Sequence, residues 1–164
     1  METAFISPTS GVLTIDKMVE TITGFVNKEP DLYYHLVIGS DSHEKKNGEG
    51  NFLNLVTAVV IHRQGKGGRY FWQRKILPKT HSLREKIYAE TLASLNLAQE
   101  LLPKVNKILN GKRHYDLEIH IDVGRIGETR EMIKEVVGMV SGNGFKAKTK
   151  PESYGASKVA DKHT

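Results

Sequence analysis

The sequence predicts a single α/β domain built on a mixed five-stranded sheet that is flanked by helices. The first observation is the order of the elements, which read as one helix, three strands, and then helices that alternate with two more strands. The second is that short, glycine-containing links at 46–50 and 64–68 join the first three strands, which favours antiparallel hairpins. The third is that a helix precedes each of the last two strands, as in crossovers that bring strands parallel to the first.

The N-terminal part, 1–30, is predicted to be an arm followed by a helix. Pro8 and Gly11 favour a loose arm over 1–11. Apolar residues at near-helical spacing predict a helix over 14–27, which we expect to pack on a sheet edge or to form a dimer contact. The three antiparallel strands are predicted at 34–42, 51–63 and 69–77.

A long helix comes next, and its start carries a capping box. Ser82 is followed three residues later by Glu85, which predicts a helix from 82 to about 102 that stops near Pro103. Strict alternation of apolar and polar residues then predicts a strand over 116–123. The remaining elements are predicted as a helix over 127–140, a short strand over 145–150 and a final helix over 154–164.

The composition excludes several classes of protein. The chain has 164 residues and no cysteine, so it has no disulfide framework, thiolate zinc site or thiol nucleophile. No apolar run approaches the ~18 residues of a membrane span. The first residues, METAFISPTS, lack the basic segment of a signal peptide. We therefore expect a cytoplasmic protein with no membrane partner.

Positive charge is concentrated in one segment. Residues 63–86 hold eight basic side chains and one acidic side chain, and aromatic residues interrupt them. Such a block fits a polyanion such as nucleic acid, although a solvated strand face has the same composition. The predicted nucleic-acid-binding residues are Arg63, Lys66, Arg69, Arg74 and Lys75.

Four acidic residues stand in unusual contexts. Asp41 follows the apolar centre of the first long strand, where aspartate is depleted, and Asp122 stands at the carboxyl end of the fourth strand. Glu90 shares a helical arc with apolar residues, and Asp161 lies on the final helix. Taken singly, each is also consistent with a turn cap or a surface carboxylate.

Taken together, the four acids match a metal-binding set. Hard oxygen ligands of this kind suit Mg²⁺ or Mn²⁺. Crowded carboxylates repel one another unless cations neutralise them. Two divalent ions would do so, and they would also hold the attacking and leaving oxygens of a phosphoryl displacement. The segment GRIGET (124–129) lacks the Gly-Lys-Ser/Thr ending of a nucleoside-triphosphate loop, so we expect it only to shape the turn beside Asp122.

Four segments carry a resemblance to a known family. They are IGSDSH (38–43), YAETLASLNLAQEL (88–101), IHIDVGRIGETREMI (119–133) and YGASKVADKHT (154–164). On these residues the chain resembles the ribonuclease H-like superfamily, and more narrowly a bacterial family of ribonuclease H-like proteins typified by YkuK. The likeness covers nearly the whole chain from residue 34. It implies a ribonuclease H-like fold with the N-terminal helix as an addition, and it selects Glu90 over Glu85 as the helical member of the acidic set.

The resemblance also implies an activity, namely metal-dependent hydrolysis of phosphodiester bonds in RNA, DNA or a hybrid. The implied catalytic and metal-binding residues are Asp41, Glu90, Asp122 and Asp161, with Asp41 bridging two Mg²⁺ or Mn²⁺ ions. Neighbouring side chains that would contact the carboxylates or a phosphate, unless they are ordinary strand and helix residues, are His43, Ser40, Ser42 and His163.

Other functions remain open at this point. The main alternative is a catalytically inactive nucleic-acid-binding or regulatory protein on the same fold, because a fold alone does not establish an activity. A phosphatase that acts on small phosphate esters, or a structural protein whose acids cap turns, would carry the same residues.

Overall fold

The computed structural model describes residues 4–109, 115–124, 127, 129–150, 152–153 and 156–164. In this part of the chain helices flank one mixed sheet, which confirms the predicted α/β class. The strands are β1 (Phe5–Ser7), β2 (Gly11–Leu13), β3 (Tyr34–Asn47), β4 (Gly50–Arg63), β5 (Gly68–Pro78), β6 (Tyr115–His120) and β7 (Lys146–Lys148). The helices are α1 (Ile15–Lys28), α2 (Leu83–Leu109), α3 (Ile133–Gly142) and α4 (Ala156–His163), and a short 3-10 helix, Arg130–Met132, precedes α3.

The five predicted strands are consecutive neighbours in the sheet and have the predicted arrangement. The order across the sheet is β2-β1-β5-β4-β3-β6-β7. β3, β4 and β5 are antiparallel neighbours, and β6 and β7 continue the sheet parallel to β3. β6 pairs with β3 only from Tyr34 to Gly39, so the second half of β3 extends beyond its parallel neighbour.

The predicted count of five strands is wrong, because residues 5–13 form two further strands in place of the expected loose arm. β1 and β2 form an antiparallel hairpin, and Ile6 pairs with Trp72 to attach the hairpin to β5. Ser7 Oγ closes the turn by accepting hydrogen bonds from two backbone N–H groups at 3.3 Å each. Phe5 is buried and anchors the hairpin in the core. Strands of three residues are too short for an alternating pattern to reveal them.

α1 packs into the main hydrophobic core of the chain, and the expected dimer contact stays a prediction. The Thr14 side chain caps the helix by accepting a hydrogen bond from the backbone N–H of Lys17 at 3.2 Å. Met18 and Ile22 are fully buried between α2 and the sheet. The apolar face of the helix is therefore buried against other parts of the same chain.

α2 does not stop near Pro103 but continues to Leu109. Proline in a helix interior costs ~3 kcal/mol, because it lacks an N–H donor and its ring clashes with the preceding turn. Beyond the proline, Val105 and Leu109 are only 1% and 3% exposed. Burying two such side chains contributes about 1.5–3 kcal/mol each, which offsets the cost of the proline. Local propensity predicted a stop, and tertiary packing overrides it.

The two faces of the sheet are covered unequally. One face packs against α1, α2 and α3. On the other face, Ala156 and Ala160 of α4 contact Val37, Val56 and Ala58, and the remainder of that face is more open. Among the described helices, none is both long and apolar enough to cross a membrane. The predictions for 125–126, 128 and 154–155 concern positions outside the described residues.

Candidate functional site

Asp41 lies beside a notch in the sheet. Its strand, β3, loses its parallel neighbour after Gly39, because β6 ends at His120. Beyond that point β3 is paired only on its β4 side, and Asp41 stands opposite Val56. The Asp41 residue is 6% exposed. A carboxylate is therefore held at the carboxyl end of the parallel strands, which is where α/β sheets bind ligands.

Glu90 reaches the same notch from α2. It is 4% exposed, and its Oε1 lies 3.4 Å from the Lys86 Nζ. Its Oε2 has no hydrogen-bond partner among the described residues. The pKa of Glu90 is raised to about 8, mainly by burial and also by the negative charges of Asp41 and Asp122, while Lys86 opposes the shift. A buried carboxyl oxygen without a partner is costly, so this position is suited to a cation.

Asp122 follows β6 and faces the Glu90 side of the notch. Both residues line a small cavity together with Ser40 and His120. The Asp122 side chain is one-third exposed, and its Oδ1 lies 2.6 Å from the Lys150 Nζ. Asp122 is therefore close enough to influence Glu90 electrostatically, and it has a cationic partner of its own.

Asp161 is brought to Asp41 by α4, and His43 joins the two. The His43 Nε2 lies 3.1 Å from the Asp41 Oδ2 and 3.1 Å from the Asp161 Oδ1. Burial, followed by the nearby Asp161, raises the pKa of Asp41. Hydrogen bonding to His43 lowers the pKa of Asp161, which is largely exposed. Asp41, His43 and Asp161 each offer a ligand atom within 4.8 Å of the others.

The structure thus places the four predicted acids in two neighbouring groups: Asp41 and Asp161 lie within ligand distance of His43, and Glu90 and Asp122 line one small cavity. Asp161 and Asp41 meet through His43, and Asp41 and Asp122 both act on Glu90. The donors are carboxylate oxygens with one imidazole, and one buried oxygen lacks a partner. This set fits a hard or borderline divalent ion, because such ions prefer oxygen ligands and accept imidazole.

The predicted neighbours of the acids differ in whether they contact the carboxylates. His43 contacts two of the acids directly, as described above. Ser40 is bonded elsewhere, since its Oγ lies 2.9 Å from the Thr57 Oγ1 and 2.7 Å from the Ser94 Oγ. Ser42 is fully buried and its Oγ has no partner among the described residues.

His163 points away from the acids. Its ring stacks on Trp72, with centroids 4.2 Å apart and 12° between the planes. Its backbone oxygen accepts a hydrogen bond from Arg74 at 2.8 Å. These contacts fasten the end of α4 to β5. His163 therefore supports the helix that presents Asp161, two residues earlier.

The five predicted basic residues do not form one surface. Arg63 is enclosed: its guanidinium donates to the Tyr34 hydroxyl and to the Phe25 carbonyl, and its side chain is 12% exposed. Lys66 pairs with Glu29, and Arg69 stacks on Phe25. All three lie at the amino end of β3, opposite the acids along the strand.

Arg74 and Lys75 lie nearer the acidic cluster. Asp41, Val56 and Arg74 stand in one row across β3, β4 and β5, so Arg74 is roughly 10 Å from Asp41 across the sheet. Arg74 is exposed and also lies over Trp72, 5.4 Å from its ring centroid. Lys75 is exposed in the next row.

Sequence reasoning missed two cations that contact the acids. Lys86 precedes Glu90 by four residues on α2, a spacing that places both on the same side of a helix. That signal was available in the sequence. Lys150, which pairs with Asp122, follows β7 and gave no such signal, because the contact depends on how β7 docks beside β6.

Comparison with known proteins identifies the class. The ribonuclease H-like family model matches residues 17–164, and the chain belongs to this ribonuclease H-like family. A relative from Bacillus subtilis (strain 168), "Uncharacterized protein YkuK", is 32% identical over 161 residues, which span 93% of this chain and 91% of the relative. No solved structure matches the chain significantly. Family membership therefore supports a nuclease-like fold, and the relative's name adds no activity to it.

Proposed function

We propose that the protein is a divalent-metal-dependent nuclease that hydrolyses phosphodiester bonds of nucleic acid. One observation carries the proposal: four carboxylates from β3, α2, the end of β6 and α4 converge on one notch, where a buried Glu90 oxygen has no partner among the described residues. Such a concentration of negative charge is unfavourable by itself and becomes favourable when cations bind. Family membership supports the same chemistry.

The acids and one histidine would hold the ions as direct ligands. Asp41, Glu90, Asp122 and Asp161 would supply oxygen ligands, and His43 would supply a nitrogen between Asp41 and Asp161. When bound, Mg²⁺ or Mn²⁺ would provide the charge that activates water and stabilises the departing oxygen.

Several side chains prepare the site for this role. Glu90 has a raised pKa, so it must lose a proton when it binds a cation. Lys86 stands beside Glu90 and favours its ionised form, against the effect of burial. Lys150 orients Asp122. These lysines act as internal counter-ions that a divalent ion would replace.

The substrate backbone would approach from the side of β5. Arg74 and Lys75 are exposed near the acidic cluster, whereas Arg63 is occupied in holding α1 to the sheet. Phosphate contacts by such residues are largely independent of sequence and weaken with salt. We therefore propose Arg74 as the member of the predicted basic set that contacts nucleic acid near the acids. Lys75, the next residue along β5, points to the opposite face of the sheet.

The test is a cleavage panel with matched variants. Purified protein is incubated with single-stranded, duplex, hybrid and junction substrates in Mg²⁺ or Mn²⁺. We expect cleavage by the unaltered chain and a loss of about a hundredfold or more in Asp41→Asn and Asp122→Asn, because metal ligation contributes several kcal/mol. Asp31→Asn is the matched control, because Asp31 is exposed in the turn that precedes β3, away from the acids.

One observation favours the inactive alternative. Lys86 and Lys150 already place protein cations on Glu90 and Asp122, as a site without metal would require. In that case folded protein would bind nucleic acid but cleave no substrate, and Asp41→Asn would leave binding unchanged. Hydrolysis of a small chromogenic phosphate ester, with no activity on oligonucleotides, would instead indicate a phosphatase.

A further inference from the structure

The sheet face that α4 covers only in part carries another cluster of metal-ligating side chains, separate from the four acids. His35 of β3 pairs in register with Asp116 of β6, and Glu118 follows Asp116 by two residues. Residues two apart on a strand point to the same face, and a cross-strand partner lies about 4.8 Å away. Ligand atoms from His35, Asp116 and Glu118 lie within 4.8 Å of one another.

We propose that His35, Asp116 and Glu118 form a second divalent-metal site, which takes a borderline transition-metal ion such as Zn²⁺. The donor set is one imidazole nitrogen and two carboxylates, a combination that zinc accepts. The first cluster has one imidazole as well, but with Glu90 and Asp122 it offers four carboxylates where this cluster offers two. The proposal does not depend on the nuclease function.

The separations are close to those of a filled site. The His35 Nδ1 lies 3.7 Å from the Asp116 Oδ2, which is too long for a hydrogen bond. Zinc bonds of about 2.0–2.1 Å in tetrahedral geometry place neighbouring ligand atoms about 3.3–3.4 Å apart. A contraction of a few tenths of an ångström would bring this pair to ligand distance.

The surrounding residues support the ligands. Tyr33 donates its hydroxyl hydrogen bond to the Asp116 Oδ1, which leaves the Oδ2 directed toward His35. The Glu118 Oε2 lies 3.2 Å from the His120 Nε2, and its Oε1 lies 3.6 Å from the Lys146 Nζ. Hydrogen-bonded carboxylates of this kind orient ligands in metal sites.

An independent observation also points to a ligand. His120 is 7% exposed, and its Nδ1 has no hydrogen-bond partner in the part of the chain that the structure describes. His120 lines a cavity of about 320 Å³ with His35, His62 and Glu118. A buried imidazole nitrogen of a residue that borders this cavity thus lacks the partner that such groups normally have.

The cavity also supplies a route for the ion. It is lined by residues from β3, β4 and β6 and by Glu152, on the face that α4 covers only in part. The ligand side chains of His35 and Asp116 are about one-third exposed. An ion could therefore enter from solvent and keep one coordination position toward the cavity, where His62, His120 or water would complete the set.

The experiment measures metal binding in a background that lacks the first cluster. Tag-free full-length protein carrying Asp41→Asn and Asp161→Asn is stripped of metal and dialysed against Zn²⁺. We expect one Zn²⁺ per chain, and we expect Asp116→Asn or His35→Gln in the same background to weaken binding at least about tenfold. Asp31→Asn, added as the matched control, should leave the affinity unchanged.

Cobalt gives a second readout that also guards against misfolding. Co²⁺ bound in this site should show visible absorption that disappears when Zn²⁺ displaces it, and the absorption should be absent after His35→Gln. Far-UV circular dichroism confirms that each variant folds. The proposal is overturned if the double-Asn background binds no Zn²⁺, or if folded Asp116→Asn and His35→Gln variants bind it as tightly as that background. Neither result would bear on the nuclease.

Discussion

The buried Glu90 carboxyl should make the stability of the metal-free protein depend on pH. Its pKa is about 8 in the folded chain, mainly because of burial, against an ordinary value of 4.5. Between these values the folded state holds a proton that the unfolded state has released. The free energy of unfolding therefore falls as pH rises, by about 1.4 kcal/mol per pH unit for one proton. From pH 5 to pH 7 the loss is about 3 kcal/mol.

Glu90→Gln removes this proton, because an amide does not titrate. Urea unfolding is measured from pH 5 to pH 8 in a chelator for the unaltered chain, for Glu90→Gln and for Glu100→Gln, an exposed control on the same helix. We expect the free energy of unfolding of Glu90→Gln to fall less steeply as pH rises, with a slope that differs from that of the unaltered chain by about 1.4 kcal/mol per pH unit, the equivalent of one proton. The Glu100→Gln control should have the same slope as the unaltered chain. The opposite shifts of Asp41 and Asp161 are common to all three proteins, so they largely cancel in the comparison.

Divalent ions extend the same test. Mn²⁺ at pH 7.5 should stabilise the unaltered chain, because binding to the folded state replaces the proton on Glu90. The Glu90→Gln variant should gain less stability from Mn²⁺ than the unaltered chain does. Equal pH slopes in the unaltered chain and Glu90→Gln would refute the reasoning, since they would show that Glu90 is already ionised or accessible to water in the folded protein.

Three more perturbations follow from the contacts. Pro103→Ala should raise the free energy of unfolding by about 1–3 kcal/mol in urea, because it restores a helical hydrogen bond within α2; no gain would mean that the helix already accommodates the proline. Arg63→Gln should lower the free energy of unfolding by about 2–4 kcal/mol, because the Phe25 carbonyl and the Tyr34 hydroxyl lose their donor. The same variant should leave the salt dependence of nucleic-acid binding unchanged. A smaller salt slope would instead show that Arg63 contacts the phosphates. His43→Asn should shift the binding preference from Mn²⁺ toward Mg²⁺ in a competition measured by electron paramagnetic resonance, because an imidazole ligand is lost; an unchanged ratio would show that His43 is not a ligand.

Two of the four acids, Asp41 and Glu90, stand out in the sequence because each conflicts with its local pattern. Asp41 interrupts an apolar strand, and Glu90 lies on the buried arc of a helix that also carries Ile87 and Leu97. A charge in such a place signals either an error of interpretation or a site. Resemblance to a family then decided between Glu90 and Glu85, which the pattern alone did not.

The partners of the basic residues could not be found in this way. A charge run shows that Arg63 and Lys66 are cationic, but not which groups they meet. Arg63 contacts Phe25, which is 38 residues earlier in the chain, and Lys66 contacts Glu29, which is 37 residues earlier. These pairs exist only because α1 docks beside the ends of β3 and β4. Sequence patterning is local, so it cannot separate a buried arginine from one that faces a polyanion.

Both proposed metal sites trace to the unequal lengths of β3 and β6. β3 has 14 residues and β6 has 6. Where they pair, His35 is set beside Asp116; where β3 extends alone, Asp41 is open to Glu90 and Asp122. Six residues of extended strand separate His35 from Asp41, which is roughly 20 Å. That is more than twice the ~8 Å screening length at physiological ionic strength, so an ion in one site should barely alter the affinity of the other. Strong coupling between them would therefore require a structural change in β3 or in His120, which lines a cavity at each site.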